Sequence, residues 1–375
     1  IAALVIAIGN ATGWRILPAG VELVAFNVCL LIVLAELGLE IVASLSGSPV
    51  FATEAASVRD RIESYRPEPG TLRFGFPVNS MGHYDTEFLP RADRNRVTVA
   101  MIGDSFSAGI VPHSHHFSTV CEEVDPRVEV YNFGVPAIAP QHYAYLLAHE
   151  VLPLEPDAVI VGIFVGNDFS DRDVVASGWW THWFDRDRLL LCVVPQRLAV
   201  VLGERAGARP VGALQGETGV DPRAFEWLRD FRSEQPTFSR ERYVSMERDR
   251  ARALTALDEA TVEDLVETIA GMRALTEPRP FGIVVIPDVF QVDDLLWSEL
   301  GCDDRERDRA QRLLVERLSH SGIAVLDLLP VMREQPFEPD GLRHLYHLHD
   351  SHFNARGNAV AGRAIAAFVE RLLAD

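Results

Sequence analysis

Hydrophobic runs alternate with polar stretches along most of the sequence, and from residue 96 onward short and long segments alternate as well. Short apolar, β-branched runs predict five strands, at 97–102, 128–132, 158–164, 282–286 and 323–328. Longer segments with helical spacing lie at 260–275, 305–318 and 358–373. Strands that alternate with helices form a parallel sheet covered on both faces. The pattern therefore predicts an α/β domain with three layers, α/β/α, around a five-stranded parallel sheet.

The first 45 residues have an apolar pattern of a different kind. Residues 1–8 are all apolar but are too short to span a bilayer. Residues 21–45 contain three glutamates, yet residues 23–35 have no charge, and the run suits a membrane span of about 20 residues. We therefore predict an N-terminal transmembrane helix. A buried helix of a soluble domain is the alternative.

Arginine placement indicates which side of the membrane the protein occupies. Arg15 is the only basic residue before Arg59. By the positive-inside tendency, this predicts that the bulk of the protein lies outside the cytoplasm, in the periplasm or at the cell surface.

These patterns divide the sequence into three parts. Residues 1–45 form the predicted membrane segment, residues 46–95 a linker and lead-in, and residues 96–375 the α/β domain. Residues 169–240 are rich in tryptophan, interrupted by proline and fit the alternation of strands and helices poorly. We interpret them as an insertion between the third strand and the next helix.

Composition narrows the possible chemistry. The formal net charge of −19 argues against a nucleic-acid binder, which would need a basic face. All 35 basic residues are arginine, so a P-loop lysine, a Schiff base and a Ser-Lys dyad are excluded. The four cysteines are widely spaced and form no C-x-x-C pair, which argues against a zinc ribbon or a redox dithiol.

Candidate catalytic residues follow three of the predicted strands. The first strand ends in Gly103-Asp104-Ser105, where a serine at a strand-to-helix turn has an exposed hydroxyl and a backbone N–H at a helix start. Helix capping by Asp-Ser is the alternative there. The second strand runs into residues 130–137 and the third into residues 164–168, which include Asn167. Glycine and asparagine at these ends also suit ordinary turns.

A fourth block precedes the last helix and contains Asp350-Ser351-His352. An acid two residues from a histidine can hold the imidazole in one tautomer, while the far nitrogen accepts the serine proton. A single Asp-x-His pair is not specific evidence for a catalytic site. The order of the four blocks on these strand ends is far more specific.

Together the blocks resemble an SGNH (GDSL-type) hydrolase over residues 96–374, and residues 79–82 resemble the lead-in of membrane-anchored bacterial members. The resemblance implies an SGNH-like fold and a nucleophile at Ser105, with His352 as its base and Asp350 orienting that base. It also implies an oxyanion hole built from Asn167 and the second block, at positions Gly134 and Ala137. It implies no cofactor and no metal.

Two positions depart from the family pattern. Many members have aspartate three residues before the histidine, where this sequence has His349. The Asp-x-His spacing instead resembles the branch that includes alginate-type O-acetyltransferases. The last glycine of the second block is replaced by Ala137, which keeps a backbone N–H but leaves less room.

The resemblance predicts an envelope-anchored serine esterase that removes an acyl group from a carbohydrate or lipid ester. An O-acetyltransferase that passes the acyl group to an envelope glycan is the first alternative. A catalytically silent scaffold with the same fold is the second. The predicted partners are the acylated substrate and the membrane, and nucleic acid is excluded.

Two histidine clusters and one tryptophan cluster have competing interpretations. Histidines at 344, 347, 349 and 352, and at 113, 115 and 116, are close enough in sequence for metal binding, but the spacing matches no zinc motif, and loop histidines are the alternative. Trp179, Trp180 and Trp183 follow the Asn167 block. They predict a wall for a sugar or acyl group or a belt at the membrane surface, with aromatic packing inside the insertion as the alternative.

Overall fold

The computed structural model describes residues 19–46, 58–169, 233–302 and 306–374. The molecule divides into two compact units, one of residues 1–57 and 175–208 and the other of residues 58–174 and 209–375. In the first unit the structure describes one helix, α1 (Ala19–Ser46). The second unit holds the other elements described below.

Helix α1 covers the apolar run at 21–45, as both interpretations of that run require. Glu22, Glu36 and Glu40 all fall inside it, and each charge in a bilayer costs free energy. In the part of the protein that the structure describes, no helix is both long enough and apolar enough to cross a membrane. The predicted transmembrane helix is therefore not confirmed.

Residues 58–95 open the second unit and pack against the rest of it. They form α2 (Val58–Tyr65) and a short antiparallel hairpin of β1 (Leu72–Arg73) and β2 (Phe76–Pro77). Ile62 of α2 is 1% exposed and belongs to the same buried cluster as the strands of the main sheet. This segment is thus part of the core of the second unit.

Five parallel strands form the main sheet, in the order β4-β3-β5-β6-β7. They are β3 (Val97–Gly103), β4 (Val128–Gly134), β5 (Ala158–Phe164), β6 (Phe281–Ile286) and β7 (Ala324–Asp327). All five were predicted from the apolar runs. Every residue of β5 is buried, as expected of a central parallel strand with both faces covered.

Helices connect the strands and form the two outer layers. They are α3 (Ser105–Ala108), α4 (Phe117–Val124), α5 (Pro140–Leu146), α6 (Arg240–Thr255), α7 (Glu259–Thr276), α8 (Val289–Val292), α9 (Asp294–Leu300), α10 (Arg309–His320), α11 (Leu328–Arg333) and α12 (Ala355–Ala374). Helices α7, α10 and α12 correspond to the three predicted helices, although α10 begins four residues later than its prediction.

Helices α4 and α12 pack together in one layer, and α5, α7 and α10 form the other. A Cβ atom on Gly362 of α12 would lie 2.6 Å from Cβ of Val120 in α4, so only glycine allows this approach. The Asn358 side chain accepts a hydrogen bond from the Phe117 N–H, at 3.1 Å. The predicted three-layer architecture is confirmed, and the carboxyl ends of its strands lie along one edge.

Candidate active site

The nucleophile candidate lies in a tight turn at the end of β3. Asp104 caps helix α3, with Oδ1 accepting the Phe106 N–H at 2.9 Å, and Ser105 is the first helical residue. A Cβ atom on Gly103 would lie 2.2 Å from the Ser107 Oγ, so the turn needs glycine there. The capping and catalytic interpretations of this block are therefore compatible, because Asp104 is the cap and Ser105 remains available.

The structure brings Ser105, His352 and Asp350 into one hydrogen-bonded row. His352 Nε2 is 2.8 Å from Ser105 Oγ, although 247 residues separate them in sequence. His352 Nδ1 is 2.6 Å from Asp350 Oδ1, which also accepts the His352 backbone N–H at 3.0 Å. The hydrogen bonds at its two ring nitrogens thus fix the orientation of the imidazole, with Nε2 directed at the serine.

Burial and charge set the protonation of this row. Burial by itself raises the pKa of Asp350, but the His352 charge and hydrogen bonds outweigh burial and lower that pKa to about 2. Burial lowers the pKa of His352, and the Asp350 carboxylate outweighs it, so that the net pKa of His352 is above its usual value. Asp350 is therefore ionised at neutral pH, and His352 is more basic than a free imidazole.

One aromatic ring lies beside the imidazole and two more pack on that ring, and the strand-end motifs contained no signal for this arrangement. The Phe106 ring lies 5.0 Å from the His352 ring, between centroids. Phe164 of β5 and Phe353 pack on Phe106 at 4.4 Å and 5.1 Å. This apolar surrounding lowers the local dielectric and strengthens the electrostatic interactions of the row.

Asn167, the predicted oxyanion side chain, lies beside the nucleophile turn. Its Nδ2 group donates to Asp104 Oδ2 at 3.4 Å, and Asn167 lies in the turn after β5, the strand next to β3. The structure thus places this amide next to the residue that precedes Ser105.

The second block makes different contacts at its two predicted donor positions. The Gly134 N–H donates to Asn132 Oδ1 at 2.9 Å, so this donor is already engaged. Ala137 has φ of 55°, in the left-handed region where glycine is favoured, which gives a physical reason for the family glycine. Its carbonyl accepts a hydrogen bond from Arg61 Nε at 3.0 Å.

The tryptophans at 179, 180 and 183 lie outside the described residues. All seven histidines of the two clusters are described, and besides His352 three of them bond to acidic side chains: His113 to Asp85, His344 to Asp340, and His347 to Glu234. Burial lowers the pKa of His116 to about 3, so this imidazole is neutral. Among the residues that the structure describes, no group of three His, Cys, Asp or Glu side chains is arranged to hold a metal ion.

A buried charge cluster lies behind Asn167, and sequence spacing did not reveal it. Arg250 Nη1 is 3.0 Å from Glu247 Oε1 and 3.1 Å from Asp288 Oδ2. Burial and the Asp288 charge raise the pKa of Glu247 well above its usual value. A Cβ atom on Gly166 would lie 2.4 Å from Asp288 Oδ2, so the cluster packs directly under the turn that holds Asn167.

A cavity of about 350 Å³ adjoins the loop that precedes Asp350. Its lining includes Tyr243, Asp293, Asp340 and residues 342–349, but not Ser105 or His352. Its arginines are engaged in the protein: Arg343 donates to the Val292 carbonyl at 3.0 Å. We therefore assign no catalytic role to this cavity.

No family model and no curated protein matches this sequence. Solved structures that resemble it include a member of the lipolytic protein G-D-S-L family from Veillonella parvula, with 12% identity and a TM-score of 0.37, where the match spans 73% of this protein and 98% of the other. A lipase/acylhydrolase from Enterococcus faecalis has 15% identity and a TM-score of 0.35, and the match spans 73% of this protein and 95% of the other. An acetyl xylan esterase has 10% identity and a TM-score of 0.35, with 72% and 98% spanned. Because these TM-scores are below 0.5, we draw no conclusion about activity from them.

Proposed function

We propose that the protein is a serine ester hydrolase of the SGNH (GDSL) type. The row of Ser105 Oγ, His352 Nε2 and Asp350 Oδ1, with separations of 2.8 Å and 2.6 Å, is the observation that carries this proposal. A serine, a base in hydrogen-bond reach and a carboxylate that orients the base are the components of nucleophilic acyl transfer. The order of the four sequence blocks supports the same family.

The reaction proceeds through an acyl-serine. Ser105 Oγ attacks the ester carbonyl carbon while its proton passes to His352 Nε2, and Asp350 stabilises the resulting imidazolium. Asn167 Nδ2 and the backbone N–H groups of Ser105 and Ala137 stabilise the oxyanion. Collapse expels the alcohol, which takes the proton from His352. Water then attacks the acyl group with His352 as base, which releases the acid and restores Ser105.

Hydrolysis of a small aryl acetate tests this function. We expect the wild type to release the phenol, and Ser105→Ala to lose activity by about 10³-fold or more, because the nucleophile is removed. Ser107→Ala is the matched control, since Ser107 is buried in the same turn but its Oγ forms no hydrogen bond with His352 or any other described residue. Equal rates for the wild type and Ser105→Ala would refute the proposal.

The proposed substrate is an acyl ester of a carbohydrate or lipid, supported by the family resemblance. Transfer to a glycan hydroxyl is the second candidate function, favoured by the Asp-x-His spacing of residues 350–352. The two share the acyl-serine and differ in the nucleophile that discharges it. Incubation with an acetyl donor and an oligosaccharide acceptor separates them, since hydrolysis releases acetate and transfer gives an acetylated sugar.

We also propose that the protein acts outside the cytoplasm, anchored at the envelope. The scarcity of basic residues before Arg59 supports this location. Protease added to intact spheroplasts should then degrade the second unit. Its survival until the cells are lysed would contradict the proposed location.

A further inference from the structure

A buried arginine of the β1–β2 hairpin holds the carboxyl end of the nucleophile turn. Arg73 is 4% exposed, and its Nη2 and Nη1 groups donate to the carbonyls of Gly109 and Ala108 at 2.7 Å and 3.3 Å. Its guanidinium lies 4.6 Å from the centre of the Tyr84 ring. Among the described residues Arg73 forms no ion pair, so carbonyl dipoles and a ring face stabilise its charge.

A buried aspartate nearby reaches the same turn through one intermediate. Asp85 is 4% exposed, and its Oδ2 accepts the Asn132 backbone N–H at 2.7 Å. The Asn132 side chain then donates from Nδ2 to the Ser107 carbonyl at 2.7 Å and accepts the Gly134 N–H at 2.9 Å. Asp85 thus fixes the residue that ties β4 to helix α3.

Space around the turn is so limited that these contacts determine its position. A Cβ atom on Gly134 would lie 2.2 Å from the carbonyl carbon of Ser107 and from the amide nitrogen of Ala108. The end of β4 therefore packs backbone to backbone against helix α3. A shift of either segment would move Ser105 Oγ relative to His352 Nε2, and misplacement by about 1 Å can reduce a rate by about 10²-fold.

We propose that Arg73 and Asp85 are positioning residues for Ser105. Arg73 holds helix α3 at its carboxyl end, and Asp85 holds it through Asn132. Residues 72–88, which precede the α/β sandwich in sequence, are then a functional part of the active site. This inference rests on the proposed function for its effect on Ser105, while the placement of the turn is measurable without any activity.

The test uses two truncations and two matched controls in the full-length protein. Arg73→Met and Asp85→Ala remove the contacts described above. Arg94→Met is the control for Arg73, because Arg94 also donates to backbone carbonyls, at Leu89 and Glu155, and lies 5.2 Å from the centre of the Tyr131 ring. Asp157→Ala is the control for Asp85, because Asp157 Oδ2 likewise accepts a strand N–H, that of Thr98 at 2.9 Å. Both controls lie away from helix α3.

The first readout is the rate at which a fluorophosphonate probe labels Ser105. We expect the rate to fall by about 10-fold or more in Arg73→Met and Asp85→Ala, and to change by less than about 2-fold in both controls. Arg73→Lys and Asp85→Asn each keep a hydrogen-bonding group and should recover part of the rate. If the truncations fail to fold, the labelling rates of the two conservative variants test the inference. Wild-type labelling rates in both truncations would overturn it, as would complete loss of labelling in both conservative variants.

The second readout is hydrogen–deuterium exchange of the peptide that covers residues 104–111, compared with peptides from β5. We expect faster exchange of the 104–111 amides in both truncations and unchanged exchange in β5. Unchanged exchange throughout would overturn the inference. The two readouts can also separate the two proposals. If the wild type never reacts with the probe but the 104–111 peptide exchanges faster in the truncations, the proposed function is refuted and the positioning of the turn by Arg73 and Asp85 still holds.

Discussion

At the scale of single residues, the site depends on one histidine whose two ring nitrogens have different partners. Nδ1 of His352 faces Asp350 and Nε2 faces Ser105. The absence of lysine from the sequence leaves histidine as the natural base for this serine. Because only a neutral imidazole can accept the serine proton in the proposed reaction, we expect activity to fall as pH falls through the pKa of His352, which the Asp350 carboxylate holds above its usual value.

Asp350→Asn tests this electrostatic role. The substitution removes the negative charge that raises the pKa of His352, so the acid limb of the pH profile should move to lower pH. The rate should also fall by about 10⁴-fold, since the imidazole is no longer held in the reactive tautomer. The pH dependence of kcat/KM measures both effects. An acid limb that stays in place or moves to higher pH would contradict the assignment of Asp350.

Several of these residues could be predicted from sequence and others could not. Ser105, Asn167, Asp350 and His352 lie in short blocks whose local spacing has meaning, so each could be predicted as a site residue from sequence, and the structure brings Ser105, Asp350 and His352 into one hydrogen-bonded row. Arg73 and Asp85 act on backbone groups 35 or more residues away, and backbone contacts leave no sequence motif. No sequence pattern shows that the Gly134 N–H donates to the Asn132 side chain.

At the scale of elements, buried charge and close helix contacts hold the second unit together. Helix α6 is joined to the end of β6 by Arg250, which contacts Glu247 and Asp288 in a region where both carboxyl groups are at most 1% exposed. On the other side of the sheet, helices α4 and α12 meet at Gly362. These two contacts lead to separate predictions.

Replacement of Arg250, the cation of the buried cluster, should lower the free energy of unfolding far more than neutralisation of Glu247. Arg250→Met leaves two buried carboxyl groups without their partner and should lower the free energy of unfolding by about 3 kcal/mol. Glu247→Gln should not lower it at neutral pH, because the substitution removes the carboxyl whose charged form is disfavoured by burial. Urea unfolding measures both variants, and a larger loss in Glu247→Gln than in Arg250→Met would contradict this account.

The same cluster predicts a pH dependence of stability. The pKa of Glu247 is higher in the folded state than in the unfolded state, so this group stabilises the fold fully below its unfolded pKa and loses that contribution as pH rises. The wild type should therefore lose stability relative to Glu247→Gln as pH rises from about 4 toward neutrality. A difference that grows in the opposite direction over this range would refute the raised pKa.

Gly362→Ala should destabilise the protein even though alanine favours helices. Alanine in a helix gains up to about 1 kcal/mol over glycine. The new Cβ atom would lie 2.6 Å from Val120 Cβ and 2.7 Å from the Phe117 carbonyl oxygen, which forces α4 and α12 apart. We expect a net loss of about 1–2 kcal/mol in thermal unfolding, with the probe-labelling rate of Ser105 unchanged. A stabilised variant would show that α12 shifts freely.

At the scale of the whole molecule, the apolar runs predicted the sheet well, because a parallel strand buried on both faces is a continuous hydrophobic segment. The part played by residues 58–95 was not predicted. Their Ser, Pro and charge content is typical of a linker, while their packing depends on a few residues such as Ile62. For the apolar run at 21–45, helical structure was predictable from its length and apolar content, but a membrane span was not confirmed.

The net charge of −19 also acts at this scale, through the long-range field of the molecule. It should repel anionic substrates at low ionic strength, and salt should screen that repulsion. We expect kcat/KM for an anionic aryl ester to rise between about 10 mM and 0.5 M salt, while that for a neutral ester changes little. A fall in kcat/KM for the anionic ester would indicate a locally positive approach to Ser105.

Covalent labelling of the serine tests the central claim most directly. The wild-type protein is incubated with a fluorophosphonate, and the modified residue is identified by mass spectrometry after digestion. The account predicts a single adduct on Ser105, no adduct in Ser105→Ala, and much slower labelling in His352→Ala, because the base that accepts the serine proton is absent. A folded wild-type protein that forms no adduct, or one modified at another residue, would contradict the proposal that Ser105 is an activated nucleophile.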